Sequence, residues 1–248
     1  MPILFGRDSK LVEGEGKEAY ENYDSRSMRK RIKRFLPLPN FIVARPTLHD
    51  RLRDSHVFGA LPESNILNLG SGVQNKQSQG NLVNLDIYAH HNTDVAGDAH
   101  YLPFLNESMD GVWLCAVLEH LQKPFDVAAQ VFRVLKPGGF VLVTVPFIQP
   151  RHGSPHDYFR YTIDGLRSVF KDFQEDEGGV TGKGPVGTWA EMTMALAGSL
   201  SRNVALSYGL RFFTGWLLYP LTFLDKILTK TCSNSPIAGG SCYLGTKP

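Results

Sequence analysis

The 248-residue sequence lacks several things that would point to common function classes. It has no apolar run long enough to cross a bilayer. The best candidate, Phe212 to Leu224, is thirteen residues without a charge, whereas a spanning helix needs about 20. Only 3 cysteines occur, Cys115, Cys232 and Cys242, in no metal-ligand spacing. An odd count excludes a fully paired disulfide framework and fits a reducing cytosol. Charge is nearly balanced, with 26 Lys and Arg against 24 Asp and Glu for a net +2, which argues against a dedicated nucleic-acid binder. Repeats and low-complexity tracts are absent. Met1-Pro2-Ile3 opens no secretory leader, so a cytoplasmic location is expected.

What is present begins with Asn65-Ile66-Leu67-Asn68-Leu69-Gly70-Ser71-Gly72. A short apolar run reads as a buried parallel strand, and its two glycines read as a turn where backbone can approach a ligand closely. A second apolar run, Leu82-Val83-Asn84-Leu85, ends in Asp86, placed to accept hydrogen bonds from two ribose hydroxyls. This is the layout of a nucleotide-type cofactor site in a doubly wound α/β fold. The third glycine of the dinucleotide fingerprint is missing, since Asn75 stands there, which disfavours a nicotinamide or flavin enzyme.

Downstream, Val95 to Ala99 reads as a third short strand and Asp110 to Ala116 as a fourth. A helix is predicted over Pro124 to Leu135, with Phe125, Ala128, Ala129, Phe132 and Leu135 at helical spacing. Pro137, Gly138 and Gly139 stop it, and Phe140 to Pro146 is a fifth strand. Phe173 to Val180 and Ser241 to Thr246 read as a sixth strand and a last one pairing antiparallel with it.

Residues from about 65 to 170 resemble the class I S-adenosylmethionine-dependent methyltransferases, the type 11 small-molecule group. The matching segments are Leu67-Asn68-Leu69-Gly70-Ser71-Gly72, Asp86, Gly97-Asp98-Ala99, Leu102-Pro103-Phe104, Leu118-Glu119-His120 and Leu135-Lys136-Pro137-Gly138-Gly139, in the family's order. The resemblance implies a mostly parallel seven-stranded, Rossmann-like sheet with S-adenosyl-L-methionine as cofactor. Gly70 and Gly72 would pass under its methionine part, with Asn68 and Ser71 beside them. Asp86 would hold the ribose, with Ile87 following it. Asp98 would accept from the adenine amino group beside Ala99, and Cys115 and Ala116 would border the sulfonium. The family usually has an acid where Asn68 stands. The first crossover, residues 70 to 81, is near the minimum for a parallel connection, so its helix is expected to be very short or missing. The Glu119-His120 pair is common in the family whatever the substrate, which implies a structural or cofactor-side role.

Substrate chemistry is expected on Pro146 to Thr162. This segment starts at the carboxyl end of the fifth strand, the edge where open α/β sheets bind ligands. His152, His156, Asp157 and Tyr158 are the candidate catalytic residues. Either imidazole can take the proton of a hydroxyl acceptor. Tyr158 and Tyr161 shape a pocket, and Arg160 pairs with an anionic substrate or with Asp157. Thr162 or Asp164 reads as an ordinary helix cap. No metal site is expected. His152, His156 and Asp157 make a nominal two-histidine, one-carboxylate set, but Pro155 keeps the histidines off one helical face.

Three regions organise the chain in this reading. Residues 1–60 form an N-terminal helical lid or extension; 61–183 with 241–248 form the methyltransferase core; 184–240 form an apolar helical insertion. The lid region carries Arg29-Lys30-Arg31, Lys33 and Arg34 after Tyr20 and Tyr23. This basic cluster reads as a solvated helix face, or as a patch for a membrane or a phosphorylated substrate. The insertion reads as a substrate cap, a homodimer face or a peripheral membrane contact. The expected activity is methyl transfer to a hydroxyl of a sugar or secondary metabolite. The rival is a catalytically silent scaffold that kept the fold.

Overall fold

The computed structural model describes residues 37–41, 47–60, 62–72, 81–153, 156–231 and 237–248. The basic cluster, Tyr20, Tyr23, Asn75, Cys232 and most of the first crossover lie outside these residues.

Seven strands form one sheet: β1 (Asn65–Leu69), β2 (Asn81–Asp86), β3 (Val95–Ala96), β4 (Met109–Cys115), β5 (Leu135–Pro146), β6 (Gln174–Thr181) and β7 (Gly240–Thr246), in the order β3-β2-β1-β4-β5-β7-β6. β3 through β5 pair in parallel, while β7 runs antiparallel to both β5 and β6. β1 and β4 are neighbours from which the chain winds outward in opposite directions. Their carboxyl ends therefore flank a crevice, the place where such sheets bind ligands.

The strands form because their apolar residues are buried on both faces. Along β4, Val112 and Leu114 face one layer with Val127, Val131 and Leu166. Trp113 faces the other with Leu52, Val57 and Leu142. The first layer is covered by α2 (Pro124–Val134) and α3 (Ile163–Val169). α2 starts with Pro124 at its first turn, where a missing N–H is harmless. Thr162 caps α3 by accepting the Gly165 N–H at 3.1 Å. α2 stops at Val134, one residue earlier than its apolar spacing suggests. The Lys136-to-Gly139 stretch is extended and already belongs to β5, with a register shift against β4 between Met109 and Gly111.

The second layer is covered by α1 (Leu48–Leu52) and the wider helical turns of Arg53–Phe58. A capping box starts α1: Thr47 Oγ1 accepts the Asp50 N–H, and Asp50 Oδ2 accepts the Thr47 N–H, each at 3.1 Å. Trp113, fully buried, packs edge-on to Phe58 at 6.0 Å between ring centres. Burying such a ring stabilises the fold by about 2–3 kcal/mol. Residues 47–60 are thus a cover for the sheet.

Between β6 and β7 lie α4 (Pro185–Ser199), α5 (Val204–Leu218), a tight 3-10 stretch (Tyr219–Leu224) and α6 (Asp225–Thr231). Ala190, Met194 and Leu218 form a small separate cluster with Phe41. Asp225, buried, accepts the Val186 and Gly187 N–H groups at 2.9 and 2.7 Å and so anchors the start of α4. No described helix is long and apolar enough to cross a membrane.

Candidate functional site

At the end of β1 the chain must turn sharply, and Gly70 (φ 72°) and Gly72 (φ 60°) do so in the left-handed region, which penalises any residue with a Cβ. A Cβ on Gly70 would lie 2.4 Å from Val117 Cγ2, whereas one on Gly72 would meet nothing within 4 Å. The Gly70 and Ser71 N–H groups donate to the Leu85 carbonyl at 2.8 and 3.1 Å, tying the turn to β2. The Asp86 carboxylate then accepts the Gly72 N–H at Oδ2 (2.8 Å) and the Tyr88 N–H at Oδ1 (3.0 Å). Two backbone donors fix its plane, and each oxygen keeps a lone pair for a ligand hydroxyl.

The exit of β3 lies alongside, because the Gly97 N–H donates to the Asp86 carbonyl at 2.9 Å. Asp98 Oδ1 accepts the His100 N–H at 2.9 Å and faces His100 Nδ1 at 2.6 Å. His100, which the sequence did not single out, therefore holds Asp98 in place. Its Nε2 is buried with no hydrogen bond among the described residues.

These groups line one side of a cavity of about 810 Å³, within the 300–1,000 Å³ usual for ligand sites. Ala116, His120, Gln122, His156 and Tyr158 line the other. Ala116 has φ 56°, an uncommon conformation for a residue with a side chain. Its N–H donates to the Thr144 carbonyl at 2.8 Å. The fourth strand therefore ends at Cys115, and Ala116 turns the chain toward a short 3-10 turn, Leu118–His120.

The loop after β5 docks on this turn. The Tyr158 and Phe159 N–H groups donate to the Glu119 carbonyl at 2.8 and 3.3 Å. Tyr161 Oη donates to the Leu118 carbonyl at 3.4 Å, and Gln122 Nε2 donates to Tyr158 Oη at 2.7 Å. Burial holds the Tyr161 hydroxyl far above the ordinary phenol range, so it stays a donor. Arg160 grips both Asp157 oxygens, with Nη2 to Oδ2 at 2.7 Å, and the His152 N–H donates to Oδ2 at 2.8 Å. The Arg160 guanidinium holds the Asp157 carboxyl well below the usual carboxylate range. Asp157 therefore organises the loop.

The Glu119 side chain is fully buried, with Oε1 3.6 Å from Nε2 of both His120 and His152. At that separation neither is a formed hydrogen bond. The carboxylate nonetheless raises the proton affinity of His152 above the ordinary imidazole value, outweighing burial.

Gly70, Gly72, Asp86, Ile87, Asp98, Ala99 and Ala116 thus share one cavity with His156 and Tyr158. Five candidates from the sequence lie outside its lining: Asn68, Ser71, Cys115, His152 and Asp157. Asn68 Nδ2 donates to Asn84 Oδ1 at 2.8 Å. Cys115 packs in the Trp113 layer, and Ser71 Oγ is buried in the turn. Strand alternation explains Asn68 and Cys115: both share the face of Ile66 and Trp113. The nominal metal set of His152, His156 and Asp157 is not assembled, since Arg160 occupies the carboxylate. Glu119 is the residue whose centrality the sequence understated. The sequence implies only a structural or cofactor-side role for the Glu119-His120 pair, although an acid between Leu118 and His120 in a mostly apolar stretch is a signal of its own.

Residues 70–143 match the protein family described as "Methyltransferase domain". The demethylmenaquinone methyltransferase of Renibacterium salmoninarum is 36% identical over 76 residues, which are 30% of this chain and 32% of that relative. The chain therefore matches about a third of that protein's length. Among solved structures, the [4+2]-cyclase SpnF aligns over 98% of this chain and 89% of its own, with a TM-score of 0.52 and 14% identity. The phosphoethanolamine N-methyltransferase 2 of Haemonchus contortus, in complex with S-adenosyl-L-methionine, aligns over 96% of this chain and 61% of its own, with a TM-score of 0.51 and 16% identity. At these identities the likeness is one of fold.

Proposed function

We propose that the protein, whose residues 70–143 match a methyltransferase domain, is a class I S-adenosylmethionine-dependent methyltransferase of the type 11 group that methylates a small molecule, at a hydroxyl of a sugar or secondary metabolite. The observation that carries this reading is the single cavity. One end offers the glycine turn and a backbone-braced carboxylate, and the other offers imidazole and phenol groups.

The residues present fit the cofactor. Gly72 leaves open space where a side chain would stand, and Asp86 keeps acceptor capacity toward ribose hydroxyls while its plane is fixed. Asp98, steadied by His100, would accept from the adenine amino group, with Ala99 in the same cavity wall. Bound S-adenosylmethionine supplies a methyl that is already electrophilic. The protein's task is to align an acceptor with it and exclude water. Tyr158, held by Gln122, and the docked loop bound the acceptor's side of the cavity. A hydroxyl acceptor must lose its proton, and of the two candidate imidazoles His156 lines the cavity and is the receiver, while His152 stands outside its lining beside Glu119.

The test is calorimetric titration with S-adenosylhomocysteine of the wild type and Asp86→Ala, followed by an acceptor screen with labelled donor. Binding in the micromolar range that the variant loses supports the reading. Absence of heat from the wild type would sink it. One feature favours a second reading, a binding protein without methyl transfer. The Asn68 amide is committed to Asn84 and brings no charge to the methionine end. That reading expects weak cofactor binding and no turnover with any acceptor.

A further inference from the structure

Glu119, His120 and His152 place three potential ligand atoms within 4.8 Å of one another. His120 Nδ1 faces the His156 carbonyl, and His152 Nδ1 faces the Pro150 carbonyl at 3.5 Å. A carbonyl only accepts, so the nitrogen turned toward it is the protonated one in a neutral ring. Each Nε2 is then a lone pair directed at Glu119 Oε1, at 3.6 Å in both cases. Neither Glu119 oxygen has a hydrogen bond among the described residues, and the side chain is fully buried. Three acceptors thus converge in a desolvated place, where an uncompensated carboxylate is costly. A proton or a metal ion among them would offset that cost.

A proton on one ring would serve one contact only, and it would draw that pair to about 2.7–2.9 Å. Ligand atoms around a tetrahedral metal with bonds of about 2.1 Å lie about 3.4 Å apart, close to the two observed separations. The backbone carbonyls on both Nδ1 atoms are the outer partners that orient metal-bound histidines. We propose that Glu119, His120 and His152 form a site for one divalent first-row transition ion, of the zinc or ferrous class. Two imidazoles and a single carboxylate suit such ions and not magnesium, which requires mostly oxygen ligands. The set draws on two separate segments, and the hydrogen bonds that dock the loop on the Glu119 carbonyl bring them together.

His120 also lines the cavity, so the ion stands at its wall. A hydroxyl bound there becomes more acidic. With His152 engaged as a ligand, His156 is the imidazole left to receive the proton. This consequence rests on the methyl-transfer reading; the binding of metal does not.

The purified 248-residue protein, stripped by chelator and freed of it, is titrated with Co²⁺ alone and then with Zn²⁺ as competitor. The expected result is a single equivalent of Co²⁺ with visible d–d absorption, displaced by Zn²⁺ and indifferent to excess Mg²⁺. E119Q and H152A should each weaken binding by more than about 100-fold, beyond the roughly 10–100-fold loss of an outer partner. H156A keeps the backbone carbonyl that faces His120 and should bind Co²⁺ as the wild type does. His152 is partly exposed, so H152A reports even if E119Q folds poorly. Co²⁺ binding that is absent, or that neither variant weakens, overturns the site. Titration of the same preparations with S-adenosylhomocysteine separates that result from failure of the cofactor reading.

Discussion

Gly70→Ala is the substitution that probes the cofactor turn most directly. The new Cβ would stand 2.4 and 2.8 Å from the two methyl carbons of Val117, well inside van der Waals contact. Holding alanine in the left-handed region costs about 1–2 kcal/mol, and forcing an extra carbon into a packed place costs about 1–3 kcal/mol. The free protein can escape part of this by letting the turn and Val117 move apart. A ligand that needs the turn in place restores the cost on binding. About 2 kcal/mol of such strain lowers the affinity for S-adenosylhomocysteine by roughly 30-fold, at about 1.4 kcal/mol per tenfold. Val117→Ala removes the methyl groups that clash but not the backbone strain. The double variant should therefore recover about tenfold of the loss, a coupling that additive effects would not produce. Calorimetry on wild type, both single variants and the double variant measures it. If G70A binds as the wild type does, the turn does not approach the ligand. If V117A gives no rescue, the contact between Gly70 and Val117 is not what constrains it.

Three further outcomes follow from charges and burial. Arg160→Ala leaves the Asp157 carboxylate buried with only the His152 N–H, and should destabilise the protein by about 3 kcal/mol, a fall in Tm of about 6–12 °C; a shift under about 2 °C would mean that the loop is held by other contacts. Burial raises the Asp110 carboxyl, but Lys136 Nζ at 2.7 Å and the Asn65 N–H at 2.8 Å outweigh it and hold it below its ordinary value. Its stabilising contribution is thus present above the ordinary carboxylate range and lost as pH falls through the lowered value, so Asp110→Asn should cost about 1 kcal/mol at neutral pH and nothing in strong acid. Equal cost at both pH values would refute the pairing. Burial pushes the Cys242 thiol up to about 12, so alkylation at pH 8 should be at least ~100-fold slower in native than in unfolded protein, as read by peptide mass spectrometry. Comparable rates would show that β7 opens readily.

The strands and Asp86 were legible because each rests on a local pattern: an apolar run, then glycine or an acid. Position along a strand was read well, but side-chain direction was not. Cys115 and Ala116 were both assigned to the sulfonium's border, yet only Ala116 lines the cavity: Cys115 shares the Trp113 face of β4, and Ala116, past the strand's end at φ 56°, turns the chain toward the cavity. Asn68 shares the Ile66 face of β1, and its partner Asn84 sits on an adjacent strand that sequence spacing does not specify. The polar run from His152 to Tyr161 was recognised as special. Its internal division was less legible, because Asp157 is bound by Arg160 while His152 meets Glu119, a residue on a different element. Contacts between segments far apart in sequence, such as this one, are the ones that a local pattern omits.

The place of β7 has a kinetic consequence. It is the last strand in chain order, yet it lies inside the sheet, and β6 is attached only through it. Phe140 pairs with Thr246 across on the order of a hundred intervening residues, a loop whose closure carries a substantial entropic cost. α4 and α5, which contact each other locally, can form before that closure, whereas Val141, Leu142 and Val143 of β5 stay exposed along one edge until β7 arrives. Such an edge is a template for pairing with another chain. Slow, nonlocal closure of the sheet would make refolding yield fall with protein concentration, while the rate of the final step stays independent of it.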